Sequence, residues 1–438
     1  MVESARPSAQ DEVVEITRSL IRIDTSNDGS GAASANEAPA AAYVAQLLAE
    51  VGVESRIYES APGRANLVAR IPGRDRTLPA LILHGHLDVV PAAAEDWSVD
   101  PFAAELIDGM IWGRGAVDMK NMDAMILTAV RELVRSGEQP PRDLIVAMFA
   151  DEEAGGLFGA QWMVDNHPEE FEGAGWAISE VGGFSTTVAG TRAYLVQTAE
   201  KGMAWLGLTA QGTAGHGSQT NSDNAVLHLA QALARIGEHD WGRSYHPSTL
   251  ELLEGVARLN GTTFDPEDPA PTLAALGDAA KFVTGTLATT VNPTVLRAGY
   301  KDNVIPSTAS ARIDVRTLPG QHYETIVKLQ ELAGEKVSLE RGIEFESMHA
   351  PADAPLVALM GELLREADPG AEVFPYMLPA GTDNKALARL GVSGYGFAPL
   401  RLPEELDFTG MFHGVDERVP VSALHFGLDV LGALIRRF

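Results

Sequence analysis

The chain has 438 residues with 45% hydrophobic content, which is enough for two domains with buried cores. Its 60 Asp and Glu residues against 33 Lys and Arg residues give a formal charge of -27. This balance argues against nucleic acid or an anionic membrane as a partner, because both bind basic surfaces. Cysteine is absent, which excludes disulfides, thiolate metal sites and a cysteine nucleophile.

We expect neither a signal peptide nor a membrane-spanning segment. Residues 1–12 contain no apolar core of a signal peptide, and no stretch is long and apolar enough to span a bilayer. We therefore expect a cytoplasmic protein, although a cysteine-free chain by itself is compatible with any compartment.

Strands and helices alternate through the first part of the chain. The predicted helices are at 11–23, 37–51, 120–136 and 156–165, and the predicted strands are at 53–58, 66–71, 79–84, 143–150 and 176–180. The runs at 79–84 and 143–150 are continuously apolar, as in strands that are covered on both faces. This order predicts an α/β domain in which helices flank a mixed sheet, with ligands bound beyond the carboxyl ends of its strands.

A different pattern begins near residue 200, where residues 201–212 alternate strictly between the two faces of a strand. The elements predicted after this strand are a helix at 223–237, a strand pair at 297–317, a helix at 322–334 and a strand at 343–348. The βαββαβ order predicts a ferredoxin-like α+β domain inserted into the first one. The predicted domains are 1–199 plus 350–438 for the metal-binding catalytic domain and 200–349 for the inserted domain, with an extra, partly helical segment at 241–292.

Side chains that can bind metal ions follow the predicted strands and recur near the carboxyl terminus. They are His86, Asp88, Asp118, Glu152, Glu153, Glu180 and His413. Two histidines with several carboxylates suit two zinc-like ions that share one bridging group.

Each of these residues also has an ordinary explanation when it is taken alone. Asp118 lies in a glycine-rich turn before a predicted helix, where an N-cap is common, and His413 could be a core or surface histidine. The acidic run at 151–153 could be a solvated loop. Like charges at a sheet edge, however, raise carboxylate pKa values and destabilise the fold unless a cation neutralises them, and this favours a metal site.

Six short strings carry most of these residues. They are His-Gly-His-Leu-Asp-Val-Val-Pro (84–91), Gly-Arg-Gly-Ala-Val-Asp-Met-Lys (113–120), Asp-Glu-Glu-Ala-Gly-Gly (151–156), Gly-His-Gly-Ser (215–218), Asn-Val-Ile-Pro (303–306) and His-Gly-Val-Asp-Glu (413–417). In this order they resemble the dizinc amidohydrolases of peptidase clan MH, a family that contains aminoacylase, carboxypeptidase G, acetylornithine deacetylase and succinyl-diaminopimelate desuccinylase. The resemblance implies a zinc-peptidase-like catalytic domain and an inserted lid and dimerisation domain.

The resemblance implies a ligand set for two divalent metal ions. One ion would be bound by His86 and Glu180. The other would be bound by Glu153 and His413, and Asp118 would bridge the two. Zinc is the expected metal, with cobalt or manganese as alternatives, because mixed histidine and carboxylate ligation suits several divalent ions.

The resemblance also assigns residues that act beside the metal ions. Asp88 would orient His86, its side chain accepting the proton of the ring nitrogen that does not bind metal. Glu152 would be the general base that takes a proton from a water molecule and returns it to the leaving nitrogen. The family carries a cis peptide bond after the bridging aspartate, which in this chain is the bond between Asp118 and Met119.

Three residues of the inserted domain match family positions that act on the substrate. His216 would stabilise the oxyanion, usually from the partner subunit, which implies a homodimer through the inserted domain. Asn303 and Arg316 would bind the substrate, and the planar fork of Arg316 suits a bidentate pair with a carboxylate. The alternatives are a loop histidine for His216 and an exposed cross-strand arginine for Arg316.

A loop near the carboxyl terminus resembles the substrate-side loop of the family. Gly381 and Thr382 match this loop, and they are expected to bind the substrate. Asn384 and Lys385 depart from the commoner Ala-Arg, which leaves the contacts of residues 381–385 open.

Glu180 bears on the class of substrate. Family members with glutamate at this position tend to be acylases, deacylases and carboxypeptidases, whereas aspartate tends to mark aminopeptidases and dipeptidases. The expected reaction is therefore hydrolysis of an N-acyl amino acid or of a carboxyl-terminal peptide bond. A dipeptidase or aminopeptidase of the same family is one alternative. A non-catalytic binding protein is another, but such a protein would be expected to have lost Glu152 or a ligand.

Two other enzyme classes are disfavoured because their motifs are missing. No Gly-x-Ser-x-Gly string is available for the nucleophile elbow of a serine hydrolase. No Gly-x-Gly-x-x-Gly or Walker string follows a predicted strand, which argues against a nucleotide-binding enzyme.

Overall fold

The two continuous apolar runs of the sequence form neighbouring parallel strands in the middle of a ten-stranded mixed sheet. The structure is a computed structural model that describes residues 8–31 and 36–438. The expectation of no signal peptide rests partly on residues 1–7, which lie outside the described residues. None of the helices in these two described ranges has the length and apolarity that crossing a membrane requires.

The described residues form the following elements. The strands are β1 (Ser55–Ala61), β2 (Arg64–Ile71), β3 (Ala80–His86), β4 (Glu105–Ile107), β5 (Met110–Trp112), β6 (Leu144–Phe149), β7 (Ala174–Ser179), β8 (Ser185–Val188), β9 (Thr191–Glu200), β10 (Gly202–Gln211), β11 (Gly215–His216), β12 (Thr290–Ala298), β13 (Val304–Ile305), β14 (Thr308–Thr317), β15 (Val337–Glu340), β16 (Glu344–Phe345), β17 (Met348–His349), β18 (Glu372–Leu378), β19 (Ser393–Gly396) and β20 (Arg418–Pro420). The helices are α1 (Ala9–Arg22), α2 (Ala38–Ala49), α3 (Lys120–Ser136), α4 (Ala160–Asn166), α5 (Ala225–Glu238), α6 (Pro247–Leu259), α7 (Ala270–Ala274), α8 (Ala280–Thr284), α9 (His322–Ala333), α10 (Pro355–Ala367), α11 (Asn384–Ala388) and α12 (Val421–Arg437).

The strands in the middle of the large sheet end at a common edge. Across the sheet the order is β1-β2-β6-β3-β7-β19-β9-β17, and β8 and β18 also pair with β9. The neighbours β6, β3, β7 and β19 run parallel to one another. Their carboxyl ends therefore meet at one edge, which is where ligands bind in sheets of this kind.

Helices cover both faces of this sheet because its central strands are apolar on both sides. Leu81 and Leu83 of β3 pack in a core that includes α1, α3 and α12, whereas Ile82 packs in a core with α4 and α11. Successive side chains of a strand point to opposite faces, which explains this division. The predicted α/β fold, with helices flanking a mixed sheet, is confirmed.

A second sheet has the strand order β12-β14-β10-β15, and β16 also pairs with β10. Helices α5 and α9 pack against β10, where the alternating residues Leu206 and Leu208 are buried. The order β10, α5, β12, β14, α9, β15 is βαββαβ. The strand that completes this order is β15 at Val337–Glu340, because Gly334, with a positive φ of 78°, caps α9 and turns the chain directly into it. Within the predicted range 343–348, the short strand β16 also pairs with β10. The domain bounds and the lid and dimerisation roles stay predictions.

The chain crosses between the two sheets twice at one place. β9 ends at Glu200 and β10 begins at Gly202, so only Lys201 lies between them. The chain returns through β17, whose Met348 is paired with Glu200 in antiparallel register. The outgoing and returning crossings therefore lie side by side.

The segment at 241–292 packs on the large sheet. Leu252 and Val256 of α6 share a core with Phe374 of β18. A Cβ atom on Gly255 would lie 2.3 Å from the Phe374 ring, so a glycine is needed for the helix to approach the strand this closely. The sequence-based division grouped residues 241–292 with the inserted domain, and that division stays a prediction.

Candidate metal centre and active site

Three of the predicted metal ligands are carried by the parallel strands of the large sheet. His86 is the last residue of β3, Glu180 directly follows β7, and Glu153 lies four residues beyond the end of β6. Since these strands are parallel neighbours, the sheet itself brings the three side chains to the same edge.

The predicted ligands form two groups that share Asp118. In the first group, His86 Nε2 lies 3.1 Å from Asp118 Oδ1 and 3.7 Å from Glu180 Oε2. In the second group, His413 Nε2 lies 3.3 Å from Asp118 Oδ2 and 2.9 Å from Glu153 Oε2. Within each group the possible ligand atoms all lie within 4.8 Å of one another. Asp118 thus presents one carboxylate oxygen to each group.

The loop that carries Asp118 is held by a buried ion pair. The guanidinium of Arg114 donates to the Glu417 carboxylate, and Gly115 N donates to Glu417 Oε2 over 2.7 Å. Glu417 lies four residues after His413, so the same contacts fix the distance between the two loops. The peptide bond between Asp118 and Met119 is cis, as the family resemblance implied.

Asp88 contacts His86 through a different atom from the one expected. His86 Nδ1 lies 2.9 Å from the backbone carbonyl oxygen of Asp88 and 3.6 Å from its carboxylate. A carbonyl oxygen only accepts hydrogen bonds, so Nδ1 carries the proton and Nε2 points at the ligand group. The Asp88 carboxylate instead accepts hydrogen bonds from the backbone N–H groups of Glu152 and Glu153, at 3.1 and 3.2 Å.

The acidic groups of the site are buried next to one another. Burial and the neighbouring carboxylate of Asp118 raise the pKa of Glu180 well above its ordinary value, and the same two causes raise the pKa of Glu153. Burial also acts to raise the pKa of Asp118, but hydrogen bonds from His413 and His86 hold it below its usual range. Hydrogen bonds to Asp118 and Glu153 raise the pKa of His413 to about 10.

These donors fit divalent cations. Glu153 Oε1 is buried and has no hydrogen-bond partner among the described residues. A buried acceptor left without a partner costs about 1–3 kcal/mol, and a cation bound at this oxygen would remove that cost. Imidazole nitrogens and carboxylate oxygens are also ligands that zinc and its neighbours in the first transition row accept.

Glu152 lies beside the two ligand groups rather than in either of them. It borders a cavity of about 390 Å³ that also touches Asp118, Glu153 and Glu180. Burial and the nearby Glu180 carboxylate raise the pKa of Glu152 well above its ordinary value. Its carboxylate is therefore placed to exchange a proton with a molecule in the cavity.

Arg316 lines the same cavity, but its guanidinium already has a partner in the chain. Its Nε and Nη2 atoms lie 2.7 and 3.1 Å from the two carboxylate oxygens of Asp314. Trp205, a third residue of this cluster, donates its indole N–H to Asp314 over 3.2 Å. Arg316 is partly exposed to the cavity, so it can contact a substrate while Asp314 holds the fork in place.

Gly381 and Thr382 line the cavity next to a buried carboxylate. Thr382 donates to Glu200 from its backbone N–H over 3.0 Å and from its hydroxyl over 2.6 Å. The ammonium of Lys385 lies 3.4 Å from Glu200 and also borders the cavity. A Cβ atom on Gly381 would lie 2.1 Å from Lys385 Nζ, so Gly381 leaves the space that this ammonium occupies.

His216 and Asn303 lie together but away from this cavity. His216 pairs with Val304 where β11 meets β13, and Gly217 N donates to the Asn303 carbonyl over 2.9 Å. Both side chains are exposed, and neither lines the cavity. Asn303 precedes β14 and Arg316 lies near its far end, and the eight steps from Thr308 to Arg316 span about 26 Å. Within one chain, Asn303 and Arg316 therefore lie too far apart to contact the same substrate molecule.

The sequence of the chain matches Peptidase family M20/M25/M40 over residues 82–437. The chain belongs to this family. The resemblance stated from the six strings is thereby confirmed, and so is the general enzyme class of hydrolase. The matched range includes every predicted metal ligand and Glu152.

Relatives in this family align with nearly the whole chain. Aminoacylase-1 of Homo sapiens is 29% identical over 445 residues, covering 99% of this chain and 96% of the relative. The N-fatty-acyl-amino acid synthase/hydrolase of Xenopus tropicalis is 28% identical over 439 residues, covering 94% of this chain and 83% of the relative. The crystal structure of the M20 family metallo-carboxypeptidase Sso-CP2 from Sulfolobus solfataricus superposes with a TM-score of 0.73 at 17% identity, covering 97% of this chain and 99% of that one. The last comparison shows that the two proteins share a fold.

Three residues that shape the site were not singled out from the sequence. Glu417 ends the string at 413–417, so its place in that string was a usable signal. Glu200 ends an apolar strand, as Glu180 does, and the same reasoning would have found it. Phe282 reaches the cavity from α8, and no local pattern marks it, because its position depends on how the segment 241–292 packs.

Proposed function

We propose that the protein is a metal-dependent hydrolase that cleaves the amide bond of N-acyl amino acids or the carboxyl-terminal bond of peptides. The observation that carries this proposal is the pair of ligand groups that share Asp118, with the Glu152 carboxylate beside them at the cavity. The confirmed family and its aminoacylase relatives support the same reaction class.

The proposed ligands are those that the family resemblance implied. His86 and Glu180 would hold one divalent ion with Asp118 Oδ1. Glu153 and His413 would hold the second with Asp118 Oδ2. When bound, two such ions polarise a carbonyl group and lower the pKa of water toward 7. Zinc is the expected metal, and cobalt or manganese would suit the same donors.

Glu152 would act as the general base. Its carboxylate would take a proton from the attacking water and deliver it to the leaving nitrogen. Asp88 supports this role because its carboxylate accepts the backbone N–H groups of Glu152 and Glu153 and fixes the turn that carries both. A general base held in this way needs no reorganisation before it accepts the proton.

The positive charges of the cavity suit a substrate carboxylate. Arg316 and Lys385 both line the cavity, Arg316 from strand β14 of the second sheet and Lys385 from helix α11. Thr382 would hold the Glu200 carboxylate in place, and Glu200 would hold the ammonium of Lys385, for which Gly381 leaves the space. An N-acyl amino acid carries its carboxylate one carbon from the scissile amide nitrogen, so the same molecule could reach both the cations and Glu152.

A dipeptidase is the second candidate because of Asp383. This buried carboxyl lines the cavity, and its Oδ2 atom has no hydrogen-bond partner among the described residues. It could accept the free ammonium of a dipeptide. Against this role, burial disfavours the charged form of Asp383 and raises its pKa well above its ordinary value.

We also propose a homodimer in which the second sheet of one subunit completes the site of the other. Strand β12 is an edge strand of that sheet, and its Val295 and Leu296 side chains are 39% and 66% exposed. Open strand edges with exposed apolar residues are ready sites for pairing between chains. The end of β12 at Ala298 pairs with the start of β14, and Asn303 lies in the connection between these two strands. His216 lies next to this connection, because β11 pairs with β13 there. Pairing between subunits through β12 would therefore involve the surface that carries His216 and Asn303.

The test is a substrate panel combined with metal analysis of the purified protein. The panel contains N-acetyl, N-succinyl and long-chain N-acyl amino acids, a blocked peptide with a free carboxyl terminus, and free dipeptides. We expect two equivalents of divalent metal, hydrolysis of acylated substrates, and loss of turnover after chelation that added zinc restores. Turnover of free dipeptides alone would replace the proposal with the dipeptidase, and full activity in metal-free protein would refute it.

A further inference from the structure

A row of four phenylalanine rings runs along one wall of the cavity and continues beyond it. The ring centroids of Phe282 and Phe412 are 5.7 Å apart, those of Phe412 and Phe408 are 5.6 Å apart, and those of Phe408 and Phe184 are 5.5 Å apart. Phe282 and Phe412 border the cavity directly, and Phe412 is the residue before the proposed metal ligand His413. The row therefore begins beside the second ligand group.

Phe282 is held in this row by the packing of a short helix. Its neighbour Val283 is buried in the core that α6 and α8 share with β18. Lys281 on the same helix lies 3.3 Å from Asp407, and Lys201 donates to the carbonyl of Gly285 over 2.8 Å. These contacts fix the helix on both sides, while the Phe282 ring stays half-buried at the cavity.

The other residues near Phe282 are also apolar. Val181 packs in the same cluster as Phe282, and Leu378 at the end of β18 belongs to its core. Both border the cavity. Behind Phe412 lies a further cavity of about 10 Å³ that is also lined by Phe184 and Phe408. The part of the main cavity that is bounded by Phe282, Phe412, Val181 and Leu378 presents apolar side chains and favours an apolar ligand group.

The cavity therefore has a charged part and an apolar part. Arg316 and Lys385 carry its positive charge, whereas Phe282 and Phe412 form its aromatic wall. In an N-acyl amino acid the scissile amide separates the carboxylate from the acyl group. A carboxylate bound at the cations, with the amide at the ligand groups, leaves the acyl group for the aromatic wall.

We propose that Phe282 and Phe412 form the acyl-binding wall and that Phe282 gives the enzyme a preference for large apolar acyl groups, aromatic or medium-chain aliphatic. This inference rests on the proposed hydrolase function. It assigns a specificity role to the segment 241–292, from which Phe282 comes.

The size of the preference follows from the apolar area that an acyl group buries. Each methylene removed from water increases the rate constant kcat/KM by roughly threefold to fourfold as long as it contacts the wall. An acetyl group is too short to cover the Phe282 ring, so it should gain little. A benzoyl group would also gain from aromatic contact with Phe282 and Phe412.

The experiment measures kcat/KM for two substrate series with the metal-loaded enzyme. The first series keeps one amino acid and varies the acyl group through acetyl, butanoyl, octanoyl and benzoyl. The second keeps acetyl and varies the amino acid. The variants are Phe282→Ala, Phe282→Leu and, as a control at an exposed position of the same helix, Thr284→Ala. Thermal unfolding of each variant checks that the fold is kept.

We expect the wild type to prefer octanoyl and benzoyl substrates. Phe282→Ala should lower kcat/KM for these two by about tenfold or more and leave the acetyl substrate within about twofold. Phe282→Leu should lie between the wild type and Phe282→Ala, and Thr284→Ala should match the wild type. In the second series, the dependence of kcat/KM on the amino acid should be the same in every variant as in the wild type.

Three results would overturn the inference. One is a wild-type rate that does not depend on the acyl group, and another is an equal loss for every acyl group in Phe282→Ala. The third is a loss of kcat/KM in Phe282→Ala whose size depends on the amino acid of the substrate and not on its acyl group. In all three, N-acetyl amino acids are still hydrolysed, so the proposed function stands. If no acylated substrate is hydrolysed by the metal-loaded wild type, both the function and the inference fail.

Discussion

The carboxyl edge of the large sheet and the tip of the second sheet differ in how much of a site one chain completes. At the edge, Asp118 lies within 3.3 Å of both His86 and His413, and Glu152 borders the same cavity. At the tip, His216 and Asn303 are exposed and touch none of these groups. The sheet and the loops of one chain together assemble the first region, whereas, among the described residues, the second region contacts no part of the first. Under the proposed homodimer, the second region would act on the site of the partner subunit.

The change with the largest expected effect tests the first region. Glu152→Gln removes the proposed base and should lower kcat by about 10²- to 10⁴-fold. Both metal ions should remain, because Glu152 belongs to neither ligand group. Turnover and metal content are measured on the same sample, with the exposed Glu169→Gln as control. Activity within tenfold of the wild type would remove Glu152 from the mechanism.

The second test asks whether the tip acts on the partner. His216→Ala should lower kcat by about 10²- to 10³-fold, since it removes one oxyanion donor. When this variant is mixed with Glu152→Gln, half of the dimers are mixed and one of their two sites is intact, so about a quarter of the wild-type activity should return. Differently tagged copies show whether subunits exchange. Exchange without any gain in activity would show that His216 does not act across the dimer.

The third test separates the two regions physically. Leu296→Arg places a charge on the exposed edge strand β12 and should produce a monomer, because an unpaired charge in an apolar interface is strongly unfavourable. Its metal content should stay unchanged, while kcat should fall as far as in His216→Ala, by up to about 10²- to 10³-fold. Mass is measured by light scattering.

The control for the third test is Leu106→Arg, since Leu106 is 50% exposed on β4, which belongs to neither of these two sheets. It should keep the mass and activity of the wild type. A Leu296→Arg monomer with full activity would mean that one chain completes the site after all.

The smallest expected effect sharpens the description of the first region. In the wild type, the two carboxylate oxygens of Asp88 accept hydrogen bonds from the backbone N–H groups of Glu152 and Glu153. Asp88→Asn replaces one of these oxygens with an amide group that donates hydrogen bonds and cannot accept them. Losing an outer partner of this kind typically lowers metal affinity or activity about 10- to 100-fold. Metal affinity and kcat are compared with those of Asp100→Asn, which makes the same change in an exposed turn. An unchanged Asp88→Asn enzyme would show that only the Asp88 carbonyl matters.

Much of the first region could be predicted because it depends on local strings and strand order. His86 ends one apolar strand and Glu180 directly follows another, and parallel neighbours end at one edge, so their convergence follows from the sequence once the strands are recognised. Asp118 and His413 lie in loops, and only the family resemblance placed them at that edge. The contact of Asp88 was assigned to its carboxylate because the sequence cannot distinguish a side-chain oxygen from the carbonyl oxygen of the same residue.

The rest depended on long-range packing. Phe282 reaches the cavity because α6 packs on β18, and that contact requires Gly255 opposite Phe374. Lys385 occupies the cavity because Glu200, 185 positions earlier, holds it. Neither pair is related by a short sequence interval or a period, so no pattern along the chain indicates them.

The paired crossings at Lys201 and Met348 have a mechanical consequence. Rotation of the second sheet would pivot there, one residue from the carboxylate of Glu200 that holds Thr382 and Lys385. Arg316 lies on the rotating side and Lys385 on the fixed side. A molecule whose anionic end bridges these two cations would pull the sheets together, so that its own charge would drive the cleft shut around it.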